Sequence, residues 1–128
     1  MSILEQLKIL VVDDMTTSRM LLIEALQEIG FRQISYAKNG QDGLKLLMSN
    51  PVHMVISDFE MPGLDGVGLL QGIRSNPTTR NIPFIMVTGR GDRALVERAS
   101  KFGLNNFVTK PFTVASLRTA LRAVLKGI

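Results

Sequence analysis

The residue pattern predicts an α/β protein, an open and mostly parallel sheet covered by helices on both faces. Three observations carry this reading. Five short runs of β-branched and other apolar residues alternate with stretches whose apolar residues recur every three or four positions. Several of those runs are apolar almost throughout, which suits strands buried on both sides. Glycine, proline or asparagine stands at most of the changeovers, so connections are short and strand–helix–strand units follow one another.

The elements fall in order. Lys8–Val12 reads as a buried strand stopped by Asp13 and Asp14. Thr16–Ile29 carries a helical apolar pattern, with Gly30 where a C-terminal cap belongs. Gln33–Ala37 is a weaker strand, and Asn39-Gly40 turns the chain into a helix that ends before Asn50-Pro51. Residues 53–57 form the next strand, ending at Asp58, and the turn 61–66 leads into a helix over about 65–75. After Asn76-Pro77, residues 83–87 form a fourth strand that closes in Thr88-Gly89. Asp92 is placed as the N-cap of a helix running to Phe102, with Gly103 ending it. Asn106–Thr109 is a short fifth strand cut by Lys110-Pro111. In the last helix Val114, Leu117, Leu121, Val124 and Ile128 share one apolar face. Arg118, Arg122 and Lys126 lie on a neighbouring stripe, read first as a solvated face and alternatively as a docking surface for an acidic partner.

Composition narrows the function classes. The 128 residues fit one domain, expected to span 1–128, and 45% hydrophobic with 20% charged residues is the make-up of a soluble globular protein. No apolar run approaches the roughly 20 residues of a membrane span, so a cytoplasmic protein without a membrane partner is expected. The absence of cysteine excludes disulfides, thiolate metal sites and cysteine nucleophiles. A net charge of +4 with only 5% aromatic residues, and no zinc-finger or RNA-binding signature, argues against DNA as a partner. His53 stands alone and reads as structural.

Chemistry gathers at the strand ends. The first strand ends in Asp13 and Asp14, the third in Asp58, the fourth in Thr88, and the fifth shortly before Lys110. A parallel sheet brings these ends to one edge, where ligands bind in such folds. Three carboxylates there repel one another unless a cation intervenes, and magnesium, a hard ion that takes carboxylate and phosphate oxygens, fits. The set suits a site where one aspartate accepts a phosphoryl group while Lys110, Thr88 and the metal stabilise its oxygens. Each residue also has a plainer reading. Asp13 and Asp14 would serve as helix caps, and Asp58, Thr88-Gly89 and Lys110-Pro111 as turn chemistry. Together, at successive strand ends, they favour the chemical reading.

The chain resembles the response-regulator receiver domains. The resemblance rests on Val-Val-Asp-Asp at 11–14, Ser-Asp-Phe-Glu-Met-Pro-Gly-Leu-Asp-Gly at 57–66, Val-Thr-Gly at 87–89 and Thr-Lys-Pro-Phe at 109–112, and covers nearly the whole chain. Its single-domain length is similar to the CheY-like chemotaxis regulators of alphaproteobacteria. The resemblance implies a flavodoxin-like fold with strand order 2-1-3-4-5 and five helices. It implies Asp58 as phosphoacceptor, with Asp14 and Asp58 binding Mg2+ directly, Asp13 partly through water, and the Glu60 backbone carbonyl completing the protein ligands. Thr88 and Lys110 would meet the phosphoryl oxygens, Phe107 would hold the aromatic switch position, and the Lys110-Pro111 bond would be cis.

The resemblance implies a histidine kinase as donor, and a phosphoacceptor rather than an enzyme in the ordinary sense. A monomer is expected, whose phosphorylation reshapes the surface of the fourth helix, last strand and last helix for a partner such as a flagellar motor switch protein. A pairing of Glu60 with Arg90 across the site entrance is expected from their opposite charges. Two other purposes fit the same residues: a phosphate sink for a chemotaxis kinase, and a cyclic-dinucleotide adaptor using Arg90, Arg93 and Arg98. A flavin-binding role is disfavoured, because the acidic first loop would repel the cofactor's phosphate.

Overall fold

The computed structural model describes residues 2–89 and 93–125. Its elements run α1 (Ile3–Gln6), β1 (Lys8–Val12), α2 (Thr16–Ile29), β2 (Gln33–Ala37), α3 (Gly40–Ser49), β3 (Met54–Asp58), α4 (Gly66–Arg74), β4 (Phe84–Thr88), α5 (Arg93–Ser100), β5 (Asn106–Thr109) and α6 (Val114–Val124). All strand pairs are parallel, in the order β2-β1-β3-β4-β5. This is the flavodoxin-like sheet that the sequence pattern and the resemblance led us to expect.

Of the three inner strands, β3 and β4 are buried along their whole length, as runs of apolar residues in a doubly covered sheet require. On one face Leu10, Val55, Phe84 and Met86 pack with Leu47, Leu69, Leu70, Ile73 and Leu95 from α3, α4 and α5. On the other face Ile9, Val11, Ile56 and Val87 pack with Leu22, Leu26, Leu117 and Leu121 from α2 and α6. The sheet thus separates two apolar cores and carries both.

Six helices are found among the described residues where five were expected. The additional one, α1, is a single turn, too short to show a helical period, and its Leu4 packs beneath Gly30. Gly30 adopts φ +130°, a conformation favouring glycine, and its N–H caps the carbonyls of Leu26 and Gln27.

The remaining boundaries differ by a residue or two. β4 begins at Phe84 because Pro83 has no N–H to give, although its carbonyl accepts from Val55. β3 begins at Met54. His53 makes a reciprocal pair with Lys8, its N–H donating to the Lys8 carbonyl and its Nδ1 accepting from the Lys8 N–H at 2.9 Å. This is a structural role, as its isolation suggested. α4 begins at Gly66, with Asp65 as N-cap accepting from the Gly68 N–H. α5 stops at Ser100 rather than Phe102, because residues 101–103 close through tighter bonds to carbonyls three residues back. The expected N-cap Asp92 and the outer ends of the last helix's two stripes, Lys126 and Ile128, lie outside the described residues.

Candidate functional site

The strand ends bring the acidic residues together at the carboxyl rim of the sheet. Register sets this up: Val12 lies beside Ser57, Asp58 beside Val87, and Thr88 beside Thr109. One carboxylate oxygen from each of Asp13, Asp14 and Asp58 lies within 4.8 Å of the others. Asp13 and Asp58 are buried, and Asp14 reaches further toward solvent. An open cleft of about 560 Å³ sits above them, lined by Asp14, Asp58, Glu60, Asp65 and Lys110 among others.

Asp58 is held through one carboxylate oxygen. Its Oδ1 lies 3.2 Å from Lys110 Nζ and accepts the Phe59 N–H at 3.0 Å. Oδ2 carries neither of these bonds. The Phe59 N–H also reaches the Val87 carbonyl, and the Gly66 N–H donates to the Phe59 carbonyl, so the backbone after Asp58 is fixed to β4 and to the start of α4. Gly66 allows this close approach, since a Cβ there would stand 2.7 Å from the Asp58 carbonyl oxygen. Burial pushes the Asp58 carboxyl above its ordinary range and the neighbouring charge of Asp13 adds to this, while Lys110 and the Phe59 N–H pull it back.

Asp13 is anchored differently. Its Oδ1 accepts the Met15 N–H at 3.0 Å, and its Oδ2 accepts the Ser18 hydroxyl at 2.5 Å. Its own N–H donates to Ala37 across the β1–β2 edge, and its carbonyl accepts Arg19 Nη1 at 3.0 Å. Neither Asp13 nor Asp14 is the N-cap of α2. Met15 occupies that position, without a side-chain bond. The plainer reading of the aspartate pair as helix caps is thereby removed.

Thr88 is buried at the end of β4, and its carbonyl accepts the Lys110 N–H at 2.8 Å. The Lys110-Pro111 bond is cis. Phe107 stands on the edge strand β5 with its ring exposed to solvent. Glu60 lines the cleft, whereas Arg90, its expected partner, lies outside the described residues. Of the other arginines weighed for nucleotide binding, Arg98 lies over the Phe59 ring, 6.0 Å from its centroid.

Sequence reasoning missed Ser18 and Arg19. The signal was present, because Arg19 shares the buried face of α2 with Leu22, Ala25 and Leu26, where a charged residue is out of place.

The donor set tests well for a hard cation. It consists of carboxylate oxygens, close enough to repel one another, beside an open cleft and with no softer ligand among them. Among the described residues no helix is long and apolar enough to cross a membrane.

Comparison with known proteins agrees with this arrangement. Residues 9–122 match the family described as "Response regulator receiver domain". The chain is 51% identical over 128 residues to a Rhizobium etli protein named "Probable chemotaxis protein CheY", covering 100% of this chain and 99% of that one. It is 32% identical over 124 residues to the Vibrio cholerae chemotaxis protein CheY-3, covering 97% and 95% of the two chains. Among solved structures it is similar to Vibrio cholerae CheY4, with TM-score 0.86 and 25% identity over 93% of this chain and 98% of that one. It is also similar to the signal receiver domain of a histidine kinase from Syntrophus aciditrophicus, with TM-score 0.84 and 31% identity over 95% and 92% of the chains. With an acidic cluster at the strand ends, a lysine on its central carboxylate and a family match over most of its length, the chain belongs to the response-regulator receiver domains.

Proposed function

We propose that this receiver domain accepts a phosphoryl group on Asp58 from a histidine kinase and signals in chemotaxis through a surface altered by that charge. The observation that carries the reading is the pairing of Lys110 with Asp58 at 3.2 Å inside the cluster of three aspartates. A magnesium ion would be held by Asp14, Asp58 and the Glu60 carbonyl, with Asp13 acting through water, and supplies charge that neutralises the phosphoryl oxygens. The two bonds that occupy Asp13's carboxylate oxygens favour that indirect part for it.

In the transfer a carboxylate oxygen of Asp58 forms a bond to phosphorus while the phosphorus–nitrogen bond to the donor imidazole breaks. The imidazole keeps the electron pair and takes a proton. Lys110, already aimed at the carboxylate, turns its ammonium to the new oxygens, and Thr88 offers its hydroxyl from the end of the neighbouring strand. Phosphorylation adds roughly −1.5 to −2 charges at this rim. Drawing Thr88 inward would free space for Phe107 to leave its exposed position and would change the surface of α5, β5 and α6. The protein acts as a phosphoacceptor in the cytoplasm, its output a changed affinity for a partner such as a motor switch protein.

The first test is intact mass after incubation with acetyl phosphate and magnesium. A gain of one phosphoryl group in the wild type, absent in Asp58→Asn and without magnesium, is expected. No gain in the wild type would overturn the reading.

A further inference from the structure

Arg19 is a buried arginine with an unusual set of partners. It lies on α2 with 6% of its surface exposed. Among the described residues the one ion pair is Lys110–Asp58, so Arg19 is held by a carbonyl and a ring rather than by a carboxylate. The carbonyl is that of Asp13, 3.0 Å from Nη1, and the ring is that of Tyr36 on the edge strand β2, with the guanidinium carbon 4.8 Å from its centroid. A charged group taken out of water costs stability unless its surroundings compensate. A carbonyl and the negative face of an aromatic ring compensate in part. An apolar side chain here would continue the stripe of Leu22 and Leu26 at no such cost.

What the arginine secures is a single peptide unit. The Asp13 carbonyl belongs to the peptide group that joins Asp13 to Asp14, and that group is planar. Fixing its oxygen fixes the torsions on either side of it, and with them the direction in which each aspartate leaves the backbone. The other anchors of Asp13 all act on its own N–H or side chain: Ala37, Met15 and Ser18. Arg19 alone grips the peptide shared with Asp14, which lines the cleft.

We infer that Arg19, clasped between the Tyr36 ring and the Asp13 carbonyl, is the positioning residue that aligns Asp13 and Asp14 for magnesium. The inference rests on the proposed reading of the cleft as a magnesium site. It makes Tyr36, exposed on the sheet edge and far from the phosphoacceptor in sequence, part of the support of that site. Removing Arg19 releases the peptide to rotate, so metal affinity falls even where the fold persists.

The test is titration calorimetry with magnesium chloride alone, without any phosphodonor, at a temperature well below each variant's melting point. Four proteins are compared: wild type, Arg19→Met, Tyr36→Leu and Leu22→Ala. Leu22 shares the buried face of α2 and packs in the apolar core, so its variant reports general loosening of the helix. The expected result is a Kd about tenfold weaker for Arg19→Met and about threefold weaker for Tyr36→Leu, with Leu22→Ala within twofold of wild type. If Arg19→Met folds, its Kd decides, and a value within twofold of wild type or no weaker than that of Leu22→Ala overturns the inference. If Arg19→Met does not fold, Tyr36→Leu decides by the same criterion. A wild type that binds no magnesium would instead overturn the reading of the cleft itself, and the inference with it.

Discussion

Lys110 Nζ stands 3.2 Å from Asp58 Oδ1, with the lysine half exposed and the aspartate almost sealed. The pair joins the end of β3 to the loop after β5, and β4 lies between them in the sheet. One member is therefore fixed by backbone bonds while the other has a mobile stem that can follow a new charge.

This asymmetry predicts the effect of removing the lysine. Lys110→Met keeps the stem's bulk and loses the ammonium. Phosphorylation by acetyl phosphate is expected to slow by about 10²-fold, the typical cost of deleting one preorganised electrostatic donor. Initial rates followed by intact mass check this. A rate within threefold of wild type would show that Lys110 does not meet the transferred oxygens.

Asp58 itself should reduce stability at neutral pH. The folded protein holds this proton more tightly than the unfolded chain, whose carboxyl has the ordinary value of 3.8. The ionised form therefore costs stability above the raised folded-state value, and the cost vanishes once pH falls below 3.8. That net direction already includes the favourable pull of Lys110. In metal-free buffer at pH 7, Asp58→Asn should melt higher than wild type, with the advantage shrinking as pH is lowered through the acid range. Magnesium at ten times its Kd should raise wild-type stability by about 1.4 kcal/mol, with a weaker response in the variant. Thermal melts at several pH values, with and without magnesium, read both effects.

At the opposite end of the sheet Arg74 closes a different junction. Its guanidinium donates to the carbonyls of Arg80, Ile82 and Gly103 and to Asn105 Oδ1, which in turn accepts the Phe84 N–H at 2.8 Å. Arg74→Met removes these bonds, of which only the one to Ile82 is part-buried while water can replace the donor at the others, and should cost about 1–2 kcal/mol. The phosphorylation rate should stay at the wild-type value, because none of these partners lies at the acidic rim. Denaturant melts paired with acetyl phosphate kinetics separate the two outcomes.

How much of this was legible in the sequence depends on the kind of interaction. Strands such as Lys8–Val12 and Phe84–Thr88 announced themselves because double burial leaves an unbroken apolar run. The aspartates, Thr88 and Lys110 were legible because a parallel sheet turns successive strand ends into neighbours. The single turn of α1 has no period to read, and the tightened end of α5 depends on backbone bonds that any residue makes. The Arg74 junction draws acceptors from segments up to 31 residues away, and backbone carbonyls leave no mark on sequence. Arg19 lay between these cases, visible as a misfit on an apolar stripe but mute about what it grips.

Asp13, Asp14, Asp58, Thr88 and Lys110 all sit on strand ends or the loops beyond them, and none sits within a helix. The outward faces of the helices are therefore under separate ownership from the chemistry. Those faces can change without moving any of the five side chains at the rim, much as a socket standard outlives the devices plugged into it.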